Sequence, residues 1–272
     1  MMSNQNGLTN RRAAVKKMIL GIGAGMVAVG ASHVAWASGM SGSAPADSLP
    51  DGAATLKELS KRLEKAPRRR NFKTVPMVLT DPSQWDNKAL NELLHYAGAP
   101  KQVWDNTDLE GPWLNLMRNA MNVQIWSFKH PDFLAVSATH GAAHLALYDD
   151  YIWDKYKVAK LTNDKYQTNV FIKDELAAQI NPADFENPNG VFSPRGDSIA
   201  VLQKREAVFL ACHNAIWELT LALYQKGVNP DRLSHAQIVA EFTNHLIPGA
   251  VLTPGIVGTL PELMLAGYQY AK

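Results

Sequence analysis

A single cysteine stands where a reactive group would lie in an α/β protein. Cys212 follows the apolar run 207–211, which has the length of a buried strand, and precedes residues 215–225, whose pattern predicts an amphipathic helix. Free N–H groups and the partial positive charge at a helix start stabilise a thiolate over a thiol. A thiolate attacks sulfur and binds soft metal ions. Free cysteine is also among the most buried residue types, so an inert, space-filling thiol is the alternative.

Histidines that are expected near that cysteine in the fold suggest a second chemistry. His140 and His144 occur in His-Gly-Ala-Ala-His, a spacing that puts two metal ligands on one helix face. Zincin-type metalloproteases need a glutamate directly after the first histidine as general base, and Gly141 stands there, which disfavours that reaction. A plain metal site formed by these two histidines with Cys212 and His213 stays open as an alternative.

Other catalytic patterns do not occur in the sequence. There is no Gly-x-Gly-x-x-Gly after a strand, no Walker loop, no Gly-x-Ser-x-Gly and no Cys-x-x-Cys-His. The single cysteine also excludes an internal disulfide. The residues therefore indicate no nucleotide, serine-hydrolase or haem chemistry, and no cofactor other than a modified cysteine or a metal ion is expected.

The amino end has the layout of a secretory signal. Asn10-Arg11-Arg12 precedes an uncharged apolar run at 18–31, and Ala35-Trp36-Ala37 is a small-x-small cleavage site. The run is too short and too rich in glycine to span a bilayer comfortably. The arginine pair indicates the twin-arginine (Tat) route, so residues 1–37 are predicted to be a Tat signal peptide. We therefore expect passage through the Tat translocase and residence in the periplasm.

Charge gives no support for nucleic acid as a partner. The whole chain carries 27 basic and 25 acidic side chains. The predicted leader holds four of the basic residues and no acidic one, so its removal leaves 23 basic residues against 25 acidic ones. A mature chain with a slight excess of acid offers no basic surface for nucleic acid.

Strand and helix patterns alternate along the mature chain. Residues 38–70 are predicted to be a tether and a short helix, and residues 71–272 one α/β domain with a mainly parallel sheet. An irregular stretch rich in Asn-Pro and Ser-Pro predicts an insertion at about 157–198. The element predictions include an edge strand at 74–80, strands at 133–137 and 207–211, and a last helix at 261–268 that begins with Pro261.

With these elements placed, the chain resembles the DsrE/DsrF-like family of small sulfur-relay proteins. The clearest match is the strand, Cys-x-Asn and helix of residues 208–216, Val-Phe-Leu-Ala-Cys-His-Asn-Ala-Ile. Residues 135–141 are similar to an apolar strand that ends in His-Gly, and residues 246–251 to a turn with Pro-Gly. Gly267-Tyr268-Gln269-Tyr270 resembles the family's Gly-aromatic ending. The likeness covers residues 72–272, interrupted by the insertion.

The resemblance implies a fold and a function. The fold would be a flavodoxin-like, three-layer α/β/α architecture of the DsrE type. Cys212 would carry a persulfide, His140 and His213 would be supporting polar groups, and Asn214 would shape the turn. The partners would be a sulfur donor or acceptor, either a protein or a small sulfur compound, and the assembly would be a homotrimer or homohexamer. The alternatives are the metal-binding protein described above and a non-catalytic binding module whose insertion docks a partner.

Overall fold

The computed structural model describes residues 48–173 and 175–272. The predicted Tat signal at 1–37, and the part of the predicted tether up to residue 47, lie outside the described residues.

A five-stranded parallel sheet forms the middle layer. The strands are β1 (Lys101–Asn106), β2 (Leu134–Thr139), β3 (Val208–Cys212), β4 (Val251–Thr253) and β5 (Gln269–Ala271). They lie in the order β4-β3-β2-β1-β5, and each neighbouring pair is parallel. Parallel neighbours need crossover connections, which place helices on the faces of the sheet.

Eight α-helices cover the sheet in the described residues. In chain order they are α1 (Ala54–Lys65), α2 (Asn87–Leu94), α3 (Trp113–Asn122), α4 (Asp150–Lys155), α5 (Ile199–Lys204), α6 (His213–Gln225), α7 (His235–Asn244) and α8 (Ile256–Leu265). Helices α1, α2 and α8 share one apolar core with the sheet. Helices α3 to α7 share the core on the opposite face. The predicted flavodoxin-like three-layer α/β/α fold with a parallel sheet is therefore confirmed.

The central strands are buried because they are apolar on both sides. Every residue of β2 and β3 is buried, as expected for strands that helices cover on both faces. Strands β1 to β4 follow one another across the sheet, and β5 returns to the far side of β1. The strand order thus reverses between β1 and β5. In such sheets, ligands bind beyond the carboxyl ends of the strands.

Two element predictions are wrong. Residues 74–80 form no strand, because the segment crosses α7: the Val75 N–H bonds to the Ala236 carbonyl, and the Asn244 side chain bonds the Phe72 backbone. The last helix begins at Ile256, and Pro261 lies inside it. Ile256 is fully buried against the sheet, which fixes the helix start upstream of the proline.

The region of the predicted insertion contains short 3₁₀ turns and no strand among its described residues. It is held to the domain by buried polar contacts. Arg118 of α3 donates to the Phe192 carbonyl at 2.6 Å and to the Asp197 carboxylate at 2.6 Å. Asn122 donates to the same Phe192 carbonyl at 2.8 Å. An irregular backbone is stable here because α3 supplies its hydrogen-bond partners.

None of the helices in the described residues has the length and apolar character needed to cross a membrane.

Candidate functional site

Cys212 is the last residue of β3 and the N-cap of α6. This is the strand-to-helix junction that the sequence predicted. The side chain is buried, with 3% of the residue exposed, and packs with Ile256 and Ala215 on the face covered by α1, α2 and α8. A reactive thiol must be reached by its reagent, and in this conformation the Cys212 thiol is covered.

Two helix N-termini meet at the sulfur. The Ile256 N–H, at the start of α8, donates to Cys212 Sγ at 3.3 Å. The N–H groups of Ala215 and Asn214, in the first turn of α6, also point to the sulfur and favour its charged form. Desolvation by burial outweighs these three donors, so the pKa of the Cys212 thiol is raised. The thiol is protonated at neutral pH, although its surroundings are arranged to accept negative charge.

His144 supports the backbone of the cysteine. Its ring is buried, and Nε2 accepts the Cys212 N–H at 3.0 Å. Burial lowers the pKa of His144 to about 3, so the ring is neutral and its proton is on Nδ1. Nδ1 is itself buried and has no hydrogen-bond partner in the described part of the chain.

His213 holds a crossing segment in place. Its Nε2 lies 2.9 Å from the Pro76 carbonyl oxygen and 3.1 Å from that of Met77, which identifies Nε2 as the donor. Burial lowers the pKa of His213, and hydrogen bonds to these two carbonyls oppose that effect in part. The contact fastens residues 76–77, the segment mistaken for a strand, to the start of α6.

His140 lies in a different environment, just beyond the end of β2. Its Nε2 lies 2.6 Å from Asp105 Oδ1, and Asp105 Oδ2 accepts the Tyr270 hydroxyl at 2.7 Å. Burial alone would raise the pKa of Asp105, but the hydrogen bonds from Tyr270 and His140 and the charge of His140 lower it overall. The three residues come from β1, β5 and the end of β2, so they meet beside the point where the strand order reverses.

The strand register brings His140 next to Cys212. Thr139 of β2 pairs with Ala211 of β3, so His140 and Cys212 are the next residues on adjacent parallel strands. Ala138 and Leu210, two positions earlier, lie in the core beneath α1, α2 and α8. Because side chains alternate along a strand, His140 and Cys212 are directed to this same face. No hydrogen bond joins the two side chains in the structure as described.

The four residues of the metal alternative do not form a metal site. Within 48–173 and 175–272, no group of three or more His, Cys, Asp or Glu side chains is arranged to hold an ion. Only one nitrogen of each histidine, Nε2, has a partner: a backbone N–H for His144, two carbonyls for His213 and a carboxylate for His140. The Nδ1 atoms of His144 and His213 are buried and have no hydrogen-bond partner among the described residues.

A groove of about 510 Å³ opens beside the cysteine, between α2 and α8. Asn214 and Gly255 lie at its edge, and these residues adjoin the thiol in sequence and in hydrogen bonding. Sequence reasoning named only Asn214 of the groove lining as a site residue, and it assigned no site role to Asp105 or Tyr270. On each helix, the residues that line the groove have i, i+3, i+4, i+7 spacing, and this spacing can be read from the sequence.

Comparisons of the chain with protein-family models, with curated proteins and with solved structures found no match.

Proposed function

We propose that this chain is a DsrE-like protein that accepts sulfane sulfur on Cys212 and passes it on. The observation that carries the proposal is the convergence of three backbone N–H groups, from the starts of α6 and α8, on one sulfur atom at the carboxyl edge of the sheet. Such donors stabilise negative charge on sulfur, which both a thiolate and an ionised persulfide carry. The lone cysteine has no neighbouring thiol in its own chain to capture the sulfur.

The transfer is an exchange between sulfur atoms. The Cys212 thiolate attacks the outer sulfur of a donor persulfide, R–S–SH. A new S–S bond forms on Cys212, the donor's S–S bond breaks, and its electron pair leaves on R–S⁻, which becomes the reduced thiol once protonated. An acceptor thiolate then attacks the outer sulfur on Cys212 and releases the original thiolate. No external oxidant or reductant is needed.

Deprotonation of Cys212 is the step that burial opposes. His140 is the base in this proposal: its Nε2 is engaged by Asp105, which leaves the lone pair on Nδ1. Asp105 holds the ring in this tautomer, and Tyr270 holds the carboxylate. His213 fastens residues 76–77 to the start of α6, and Asn214 contributes one of the backbone N–H groups directed at the sulfur.

Location and partners follow from the sequence. The Arg11-Arg12 signal supports export by the Tat translocase and a periplasmic location. The donor and the acceptor are sulfur compounds or sulfur-carrying proteins. The resemblance to the DsrE-like family supports a homotrimer or homohexamer. No feature of the described surface favours nucleic acid.

A second candidate function is a non-catalytic binding module. The groove between α2 and α8 favours it, since a cleft of this volume is within the range that holds small ligands. On this account Cys212 is a structural thiol beneath the ligand. The metal-binding alternative has less support, because no group of three or more His, Cys, Asp or Glu side chains among the described residues is arranged to hold an ion.

Intact-mass measurement tests the proposal. The purified mature protein is weighed in native and denaturing conditions, before and after incubation with a persulfide donor. We expect a gain of about 32 Da, removed by reductant and absent from Cys212→Ala, for one added sulfur atom. Circular dichroism of Cys212→Ala checks that the variant is folded. A native mass excess that chelators remove would favour the metal protein, and no change at all would favour the binding module.

A further inference from the structure

The groove has two walls of regular construction. Helix α2 contributes Asn87, Leu90, Asn91 and Leu94, and α8 with its N-cap contributes Gly255, Gly258, Thr259 and Glu262. Each set has i, i+3, i+4, i+7 spacing, so each is one face of a helix. Apolar side chains of the segment 78–85 and Pro254 complete the lining. Because both walls are helices packed on the sheet, the groove is a rigid part of the fold.

Three of the polar side chains that line the groove are amides. The side chains of Asn87, Asn91 and Asn214 make no hydrogen bond to any other described residue, so their donors and acceptors are available to a ligand. Glu262 is the one ionisable residue among those that line the groove, and no lysine or arginine accompanies it there. The N–H of Ile256 is already bonded to Cys212 Sγ and offers nothing further to an anion.

We propose that this groove is the route to Cys212 and that it selects uncharged sulfur compounds over anionic ones. The inference rests on the proposed function and names its substrate class: a small organic persulfide that enters in its protonated form, R–S–SH, and has an apolar body with amide or hydroxyl groups. Anions such as thiosulfate or inorganic polysulfide would meet the Glu262 carboxylate with no cation to balance them. The amides of Asn87, Asn91 and Asn214 would pair with the neutral polar groups.

Access is controlled at two glycines. A Cβ at Gly255 would lie 2.7 Å from Asn214 Nδ2, so glycine here lets the Asn214 amide lie against the start of α8. A Cβ at Gly258 would meet nothing within 4 Å. Gly258 therefore leaves open space in the middle of the α8 stripe, and a large side chain at this position would fill the groove without a clash at its first atom.

Alkylation of Cys212 tests the route without requiring sulfur transfer. The probes are iodoacetamide, which is neutral, and iodoacetate, which is anionic; both are followed by intact mass. We expect the ratio of their rates in the folded protein to exceed the ratio in the urea-unfolded protein about two- to threefold at low ionic strength, because the exposed Glu262 carboxylate acts through water and is screened by salt. Glu262→Gln should bring the folded ratio back toward the unfolded one.

Filling the groove gives the second arm. Gly258→Phe should slow both reagents about tenfold by blocking contact with the thiol. Val257→Phe is the matched control: Val257 is 69% exposed on the same helix, does not line the groove, and should react as the parent protein does. Gly258→Leu serves in place of the phenylalanine variant if thermal melting shows that the latter is unfolded.

Several results would overturn the inference. An unchanged ratio in the folded protein would remove the charge selection. Equal rates in parent and Gly258→Phe would place the route elsewhere, and complete protection of Cys212 in the folded state would mean that there is no route. The alkylation results and the mass measurement decide different proposals. A protein that is alkylated through the groove but gains no sulfur would support the groove as the route to Cys212 and contradict sulfur transfer.

Discussion

The carboxyl ends of β2 and β3 lie side by side, but the polar groups at one end are stabilised in a charged form and those at the other in the neutral form. Beyond β2, His140 is half-buried and bonded to Asp105, whose pKa is held below its ordinary value. At the end of β3, Cys212 and His144 are buried, and burial favours the neutral form of each. One strand end carries charge, and its neighbour excludes charge.

The difference lies in what covers each strand end. The start of α8 and the 3₁₀ segment Gly141–Leu147 close over β3, so its groups lose water on both faces. The end of β2 lies beside β1, where His140 bonds to Asp105, and Tyr270 of the short edge strand β5 donates to Asp105 from the far side of β1. Position in the sheet therefore does not determine the protonation state of a group; the cover over the strand end does.

Acid should separate the two ends most strongly. The pKa of His144 is about 3 in the folded protein and 6.5 for the ordinary group. Between these two pH values the unfolded chain binds a proton at His144 and the folded protein does not. This group alone should lower the free energy of unfolding by about 3 kcal/mol between pH 6.5 and 4, at about 1.4 kcal/mol per pH unit.

Urea unfolding at several pH values measures that loss. His144→Gln keeps an acceptor for the Cys212 N–H but does not titrate, so its stability should fall less steeply over the same range. His213, whose pKa is also lowered, contributes to both curves and cancels in the comparison. Parallel curves for the parent and the variant would contradict the assignment of a neutral, buried His144.

Truncation of the two histidines should give unequal losses at pH 7. His144→Ala leaves the buried Cys212 N–H without an acceptor and opens a cavity, at a cost of about 2 to 3 kcal/mol. His140→Ala removes a half-buried ring and should cost under about 1 kcal/mol. Denaturant midpoints at constant m-value give both figures. Similar losses for the two variants would show that the strand ends are equally packed.

The smallest expected effect concerns Asp105. Because the fold lowers the pKa of this carboxyl, its stabilising contribution is present above pH 3.8 and disappears as the pH falls through the folded value. Asp105→Asn should therefore cost about 0.5 kcal/mol at pH 7 and close to nothing at acid pH. Tyr270→Phe, which removes one of the two donors to the carboxylate, is the companion variant. A cost for Asp105→Asn that is independent of pH would assign the effect to packing instead.

Sequence patterns predicted the parts of the site that are local in the chain. The apolar run before Cys212 and the amphipathic segment after it are contiguous, so strand, turn and helix could be predicted from one window. The polar strand β1 was not predicted, since Lys101, Gln102, Asp105 and Asn106 interrupt its apolar pattern. Its strand conformation comes from pairing with β2 and β5, which lie far away in sequence.

The sequence by itself determined the α/β class with a mainly parallel sheet, the strand-to-helix junction at Cys212, and the placement of His140 at the same sheet edge. These follow from periodicity and from the rule that parallel strands share a carboxyl edge. Only the tertiary structure decided that Cys212 is buried, that His144 and His213 bond to backbone groups, and that Asp105 and Tyr270 bracket the site with His140. Burial and long-range hydrogen bonds depend on which distant segments cover a residue, and one-dimensional spacing does not contain that information.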